Sequence, residues 1–561
     1  MPVKENKKQN KIKPSIKWFL PLSVILICIS SFSLYHSSTD NDYLDLDDMT
    51  ILVKNYPFLK NISNAPKAFT QGVFQEEGQK DTLASYYRPV MIFSFMLDAQ
   101  LSPSTAEYPK PKPFLKANIF YHTVACILLL LLLFQLNIPP LPSLLLTLIF
   151  TVHPLLNQAV AWIPGRNDSL LSIFILLSFL SLFKYKKTQK NGAFILHILF
   201  FALALFTKEN AIMCIPVAFM LIRFIFKEPF NAAIYKKLGI SYLSLVIVWL
   251  LLRQHALALN ISSGSWSDLF HNFIHNLPCF IQYFGKAILP FNLSVMSMVE
   301  DTNYILGLLA IVIVGGSLFL SKQSSKPLVW FGFTWFILFL LPSFFSGFSG
   351  LEHRAYLPLM GLIITCAQID WIKNAAIKPI KVESLGGTVI LVVVIIIFYS
   401  LSAKRLPIFH DRFSFNKSAM ETSPKLVLPC LYLGQHYDEI GDFKDALDAY
   451  REALKRDSNS FMTHSNIAGD YIHMNMYPEA EKELRIEIAK HPTNNIAVFN
   501  LGLVVFQGDT NYTEGVRLWK KAVSMDSGFA QPYKVLFQYY QATGDSTNTI
   551  LYRNLYYRKK R

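Results

Sequence analysis

Charge is scarce in this sequence of 561 residues. Asp, Glu, Lys and Arg make up 16% of it, against about 25% in a soluble globular domain. They are absent altogether between Lys116 and Arg166, and again between Lys326 and Glu352. Soluble helices in series would not leave such gaps, whereas a bilayer core calls for roughly 20 apolar residues per helix. Also missing are a P-loop, a GxGxxG and an HExxH, which removes the phosphate-cradle, dinucleotide and zinc-protease readings. The six cysteines (Cys28, Cys126, Cys214, Cys279, Cys366 and Cys430) are scattered without CxxC spacing, so no disulfide or metal framework is written in them. The net charge is +15, yet no basic stripe interleaved with aromatics offers nucleic acid a surface.

What is there is hydrophobic sequence, 52% of the chain, clustered into long runs. Lys4, Lys7, Lys8, Lys11, Lys13 and Lys17 precede an uncharged run from Trp18 to Thr39. That run is too long for a cleaved signal peptide, so 1–17 is expected to be a basic cytoplasmic N-terminus followed by an uncleaved anchor. Further spans are expected at 115–136, 141–153, 168–184, 191–207, 210–226, 237–253, 303–321, 327–347, 355–372 and 386–403, about eleven in all. The surplus Lys and Arg fall in the short loops Lys184–Lys190, Arg223–Lys237, Lys322–Lys326 and Lys373–Lys381. Those loops become cytoplasmic by the positive-inside rule. This alternation holds if 268–291, with His271, His275, Pro278 and Lys286, lies in the interface as an amphipathic helix rather than spanning. Loop 37–114 and everything after residue 404 then lie on the far side, and Tyr86–Leu101 is expected to be an amphipathic helix at the membrane surface.

From about residue 427 the composition turns soluble and a 34-residue period emerges. Leu433-Gly434, Tyr437, Ala446 and Tyr450 recur as Ile467-Ala468, Tyr471, Ala480 and Leu484, with Ala453 in the first unit and Pro492 in the second. A third unit has Leu501-Gly502, Gly515, Trp519 and Ala522. These are tetratricopeptide-repeat (TPR) positions, with small residues where paired helices touch and bulky ones filling the gap. Residues 529–561 read as a degenerate fourth unit or as capping helices. The expected fold class is all-α: a polytopic transmembrane bundle over 18–404, a linker at 405–426, and a TPR solenoid over 427–561. A TPR array offers a protein-binding surface and no chemistry of its own.

Chemistry therefore falls to polar groups at the membrane edges. Asp47 and Asp48, after Asp40, Asp42 and Asp45, suit a general base with an orienting partner, or else a solvated acidic loop. Arg88 in Tyr86-Tyr87-Arg88-Pro89 can hold a phosphate with its planar fork, or simply snorkel at a helix start. His153-Pro154 and Gly165-Arg166-Asn167-Asp168 gather His, Arg and Asp in one loop, where Asp168 is also a helix cap. Lys208-Glu209 is a functional pair or an interfacial turn. Glu352-His353-Arg354 adds another cation and carboxylate, or a plain interfacial charge cluster.

Taken in order, these motifs resemble the transmembrane-and-TPR O-mannosyltransferases and their bacterial relatives in the type C glycosyltransferase superfamily. The matching elements are Asp47-Asp48 ahead of Asn55-Tyr56-Pro57, Tyr87-Arg88-Pro89, Asn118 with His122, His153-Pro154, Gly165-Arg166-Asn167-Asp168, Lys208-Glu209, and Tyr356-Leu357-Pro358. Many relatives have Glu where Gln158 stands and a second His near Leu156. The resemblance implies a type C-like bundle in which loop 37–114 is the catalytic outer loop. The reaction implied is inverting transfer of a sugar from a polyprenyl-phosphate donor to an acceptor hydroxyl, on protein Ser or Thr. Asp47 is implied as the base and Asp48 as its support. Arg88, Arg166 and Arg354 are implied to hold the leaving phosphate, and His153, Lys208, Glu209 and Glu352 to complete the substrate site. No metal or other cofactor is required in principle. The implied partners are membrane lipid, the lipid-linked donor, and an acceptor protein gathered by the TPR surface. The expected placement is a bacterial inner membrane with periplasmic repeats, or the endoplasmic reticulum with luminal ones. A membrane scaffold that only displays the TPR array, and a transporter of lipid-linked sugars, are the readings from other classes.

Overall fold

The computed structural model describes residues 14–74, 86–102, 108–257, 266–347, 350–375, 382–508 and 511–559. Most of the expected cytoplasmic segment 1–17, and two thirds of the expected loop Lys373–Lys381, lie outside them. Every regular element among the described residues is helical. The chain divides into two compact units, Met1–Phe415 and Asn416–Arg561.

In the first unit six helices are long and apolar enough to cross a membrane: Phe19–Asp40, Pro111–Gln135, Ile163–Thr188, Ala233–Leu257, Lys326–Phe345 and Leu385–Phe409. They coincide with six of the eleven expected spans. The count of eleven is not reproduced, because hydropathy runs on through places where the helix breaks. The 141–153 segment is Pro140–Thr151, which bends by 47° into Pro154–Ala161. Asn191–Thr207 and Tyr304–Leu320 have 17 residues each, about 26 Å at 1.5 Å per residue, short of a bilayer core of about 30 Å. The 210–226 segment is divided into Glu209–Met213, Cys214–Met220 and Leu221–Ile225. The 355–372 segment stops at Cys366 and resumes at Asp370. The 268–291 stretch is two short helices, Trp266–Asn276 and Cys279–Ile288.

Close helix packing holds the bundle together. Lys326–Leu340 crosses Tyr356–Cys366 through two glycines. A Cβ on Gly332 would meet Gly361 O at 2.5 Å, and one on Gly361 would meet Gly332 O at 2.4 Å. Small residues allow such backbone approach where lipid supplies no hydrophobic drive between helices. Beneath the outer loop, Ile51, Leu52, Phe58, Met91 and Phe95 form a core of their own. Pro89–Ala99 contributes to it with its polar Ser94 and Asp98 buried and its apolar Phe93 and Leu97 exposed, so its polar residues face inward, unlike the amphipathic surface helix expected.

The second unit is built from helix hairpins: Leu428–Glu439 with Phe443–Arg456, Thr463–His473 with Tyr477–Lys490, Asn495–Gln507 with Tyr512–Met525, and Ala530–Ala542 with Ser546–Lys559. The repeat logic is physical. A Cβ on Gly434 would lie 2.4 Å from the Tyr450 ring, and one on Gly502 would lie 2.6 Å from Trp519. Asp442, Asn494 and Asn511 cap the helices that follow them by accepting a backbone N–H.

Candidate active site

The outer loop is stitched down before it reaches its acidic turn. Asp42 N donates to His410 O at 2.7 Å, and Tyr43 donates its hydroxyl to Pro109 O at 2.6 Å. Asp48 is buried. Its Oδ2 accepts Trp162 Nε1 at 2.8 Å and Leu44 N at 3.3 Å, while its Oδ1 is buried without a hydrogen bond. Burial pushes the Asp48 carboxyl well above the usual range, against the Trp162 bond, which lowers it. Asp47, one residue earlier in the turn, is half-buried and makes no side-chain hydrogen bond among the described residues. Burial raises its carboxyl too, and the charges of Arg88 and Arg354 draw it back.

Two cations from distant parts of the chain, Arg88 and Arg354, act on Asp47, and a third, Lys208, stands beside Arg88. Arg88 lies just ahead of Pro89–Ala99, its guanidinium 4.3 Å from the Tyr86 ring centroid. It grips Glu209 with two bonds, Nε to Oε2 at 3.1 Å and Nη2 to Oε1 at 2.6 Å. Burial would lift the Glu209 carboxyl, but Arg88 outweighs it and holds the group down at about 2. Lys208 donates to Asp168 Oδ1 at 2.7 Å, both side chains nearly buried, and Asp168 Oδ2 is buried without a partner. Arg354 reaches Ser343 O at 3.3 Å and Ser346 Oγ at 3.2 Å and has no carboxylate partner among the described residues.

His353 joins the two sides. Its Nδ1 is 3.2 Å from Gln158 Oε1, which also accepts the His353 backbone N–H at 3.2 Å. Gln158 Nε2 donates to Val295 O at 3.0 Å, so this amide fixes both the ring and the loop behind it. Burial first, and then the charges of Lys208, Arg354 and Arg88, push the imidazole well below its usual range. The ring lies 5.3 Å from that of Trp162. One neighbourhood therefore holds a carboxylate without a bonding partner, three cations and a neutral imidazole.

Three sequence-derived site residues stand elsewhere. Arg166 is fully buried, and every nitrogen of its guanidinium is engaged: with Asn118 Oδ1 at 2.9 Å, Asp98 Oδ2 at 2.5 Å and Phe114 O at 2.7 Å. It lies over the Phe95 ring and is not available to a phosphate. Glu352 is also fully buried. It accepts Ser294 N at 2.6 Å and pairs with Lys286 and Arg405, fixing the turn that carries His353 and Arg354. His153 caps a turn by accepting Leu155 N and contacts Ala287 O through Nε2. Glu352 supports the site from behind, while Arg166 and His153 are spent on packing the bundle. Conversely, Trp162, Gln158, His353 and Asp168 belong to the cluster. All four sit inside the motif loops, but a charge-based reading passes over Trp and Gln.

No protein-family model matches the chain. Among curated proteins, protein O-mannosyl-transferase F38B6.6 of Caenorhabditis elegans is 26% identical over 460 residues, covering 77% of this chain and 62% of that protein. The chain is similar to the protein O-mannosyl-transferases. Human protein O-mannosyl-transferase TMTC4 is 28% identical over 210 residues, 34% of this chain and 27% of its own. Mouse protein O-mannosyl-transferase TMTC3 is 29% identical over 134 residues, 23% of this chain and 14% of its own. The chain thus spans less than two thirds of the length of these O-mannosyl-transferases. Among solved structures, a crystal structure of MamA is 21% identical over 26% of this chain and 84% of its own, with a TM-score of 0.23. MamA 41-end from Desulfovibrio magneticus RS-1 is 19% identical over 27% and 84%, at 0.24. Scores that low do not define a shared arrangement.

Proposed function

We propose that this protein is an integral membrane glycosyltransferase that moves a sugar from a polyprenyl-phosphate donor to the hydroxyl of a protein Ser or Thr. The observation that carries the reading is Asp47: a carboxylate without a bonding partner, raised by burial, within the field of Arg88 and Arg354. The O-mannosyl-transferase relatives make mannose the first sugar to test.

In the proposed reaction the acceptor oxygen forms a bond to the anomeric carbon from the face opposite the phosphate. Asp47 takes the hydroxyl proton. The bond between that carbon and the phosphate oxygen breaks, its electron pair stays on the phosphate, and the configuration inverts. Arg88, Lys208 and Arg354 balance the charge that develops there, where fixed cations in a water-poor site are worth most. Asp48, held by Trp162, fixes the turn that carries Asp47. The reading requires no metal. The TPR unit supplies the acceptor-binding surface, and the membrane and its far-side compartment are those expected from the loop charges.

The test is transfer by purified protein in nanodiscs, using radiolabelled polyprenyl-phosphate mannose and Ser/Thr peptides, beside a glycan comparison of cells with and without the chain. Sugar on a peptide hydroxyl, released as the inverted anomer, is expected. No transfer from any polyprenyl-phosphate sugar, with unchanged glycans in cells lacking the chain, overturns the reading and leaves the TPR scaffold.

A further inference from the structure

The helix Trp266–Asn276 has three faces. Phe273 and Asn276 turn inward. At about 100° per residue, Trp266, Phe270, Ile274 and Leu277 fall together on a second face, and they are 87%, 65%, 49% and 42% exposed. Asp268, His271 and His275 make a third, polar face. A helix with apolar and polar exposed faces side by side suits a water–lipid boundary. Its neighbours set it at such a boundary: it begins nine residues after the end of the span Ala233–Leu257, and Phe273 stacks on Phe345, the last residue of the span Lys326–Phe345, with ring centroids 4.9 Å apart.

The inward face is tied to the site. Asn276 is 2% exposed, and its Nδ2 donates to Phe344 O and Ser346 O at 3.0 Å each. The same turn clasps Arg354 through Ser343 O and Ser346 Oγ. We propose that Trp266–Asn276 lies in the membrane interface with its Trp266–Phe270–Ile274–Leu277 face in lipid, and that Asn276 thereby acts as a positioning residue for Arg354. The membrane surface itself then serves as the reference from which Arg354 is placed. The helix location stands on its own geometry; the Arg354 part rests on the phosphate role proposed above.

Two measurements test it in nanodiscs, on the full chain with Cys28→Ser and Cys366→Ser. Nitroxides on Phe270→Cys and on His271→Cys should differ: oxygen, which concentrates in lipid, relaxes the first more strongly, and a water-soluble nickel chelate the second. Equal access of the chelate to both overturns the interfacial location. In the transfer assay Asn276→Ala should raise KM for the lipid donor about tenfold, near the value of one lost hydrogen bond, with kcat changed less than KM. Asn276→Asp, which keeps the shape but not the donor, should match it. A wild-type KM in a folded Asn276→Ala protein overturns the positioning role. If Arg354→Ala is itself silent, the phosphate reading fails, while the nitroxide result still decides the helix.

Discussion

Trp162 donates its indole N–H to Asp48 at 2.8 Å across 114 residues of sequence. That bond joins the acidic turn of the outer loop to the bent helix segment behind it. Trp162→Phe keeps an aromatic ring and removes the donor, leaving a buried carboxylate with backbone N–H partners alone. A buried acceptor left short of a partner costs about 1–3 kcal/mol. The variant is expected to melt earlier in detergent and to lose transfer through kcat, because the turn bearing Asp47 loosens. An unchanged melting temperature and rate would separate Asp48 from the site.

Asp47→Asn keeps the side chain's size and removes its capacity to take a proton. General-base catalysis contributes about 10²–10⁴-fold, so kcat is expected to fall within that range while donor affinity and membrane insertion persist. Wild-type transfer by both Asp47→Asn and Asp48→Asn would end the catalytic assignment.

Arg88 binds Glu209 through two nitrogens, a geometry that Lys cannot copy. Arg88→Lys should raise donor KM less than Arg88→Ala does, since the charge survives. Glu209→Gln weakens the pair and should leave Arg88 freer. Donor titrations on the three variants check the order.

Arg166 offers the contrast. Arg166→Met removes the cation from a buried carboxylate, Asp98, and breaking such a pair costs about 3–5 kcal/mol. Poor folding is expected, with Asp98→Asn in the same chain restoring part of the melting temperature. The folded fraction of the double variant should keep a near-wild-type donor KM, which a phosphate-holding arginine would not allow.

The repeat unit carries its own pH dependence. Asp470 is 1% exposed, and its carboxyl has the carboxyl of Asp438 as its side-chain hydrogen-bond neighbour. Burial, and then the charge of Asp438, push its carboxyl from 3.8 up to about 8. Between those values the folded unit holds a proton that the unfolded chain has released. Stability therefore falls as pH rises through that window, by up to about 1.4 kcal/mol per pH unit. A fragment covering 416–561 is expected to be helical by circular dichroism and to melt lower at pH 8.5 than at pH 5.5. Asp470→Asn should flatten that slope.

The long uncharged runs and the 34-residue period were legible because each is a local pattern in sequence. Breaks inside the apolar runs were harder to see: 210–226 reads as one apolar run but is divided into Glu209–Met213, Cys214–Met220 and Leu221–Ile225, which a window average passes over. Within the site, Asp47, Arg88 and Arg354 could be picked out as charges at membrane edges. The same motif that offered Arg166 also held Asp168, and nothing local tells them apart. Arg166 is consumed by Asp98, Asn118 and Phe114, whereas Asp168 faces Lys208, 40 residues further on. Pairing across such distances decides which charges are spent on architecture.

The Arg88–Glu209 pair bears on how the proposed reaction ends. A polyprenyl-phosphate sugar is a phosphodiester with one negative charge, while the phosphate monoester left behind gains a second near neutral pH. A cluster of bare cations would hold that spent carrier more tightly than the incoming donor, and turnover would stall on it. Glu209 stays ionised at any physiological pH and competes for the fork of Arg88. In the proposed reaction it would give the guanidinium somewhere to return, letting the spent carrier leave and the next donor enter.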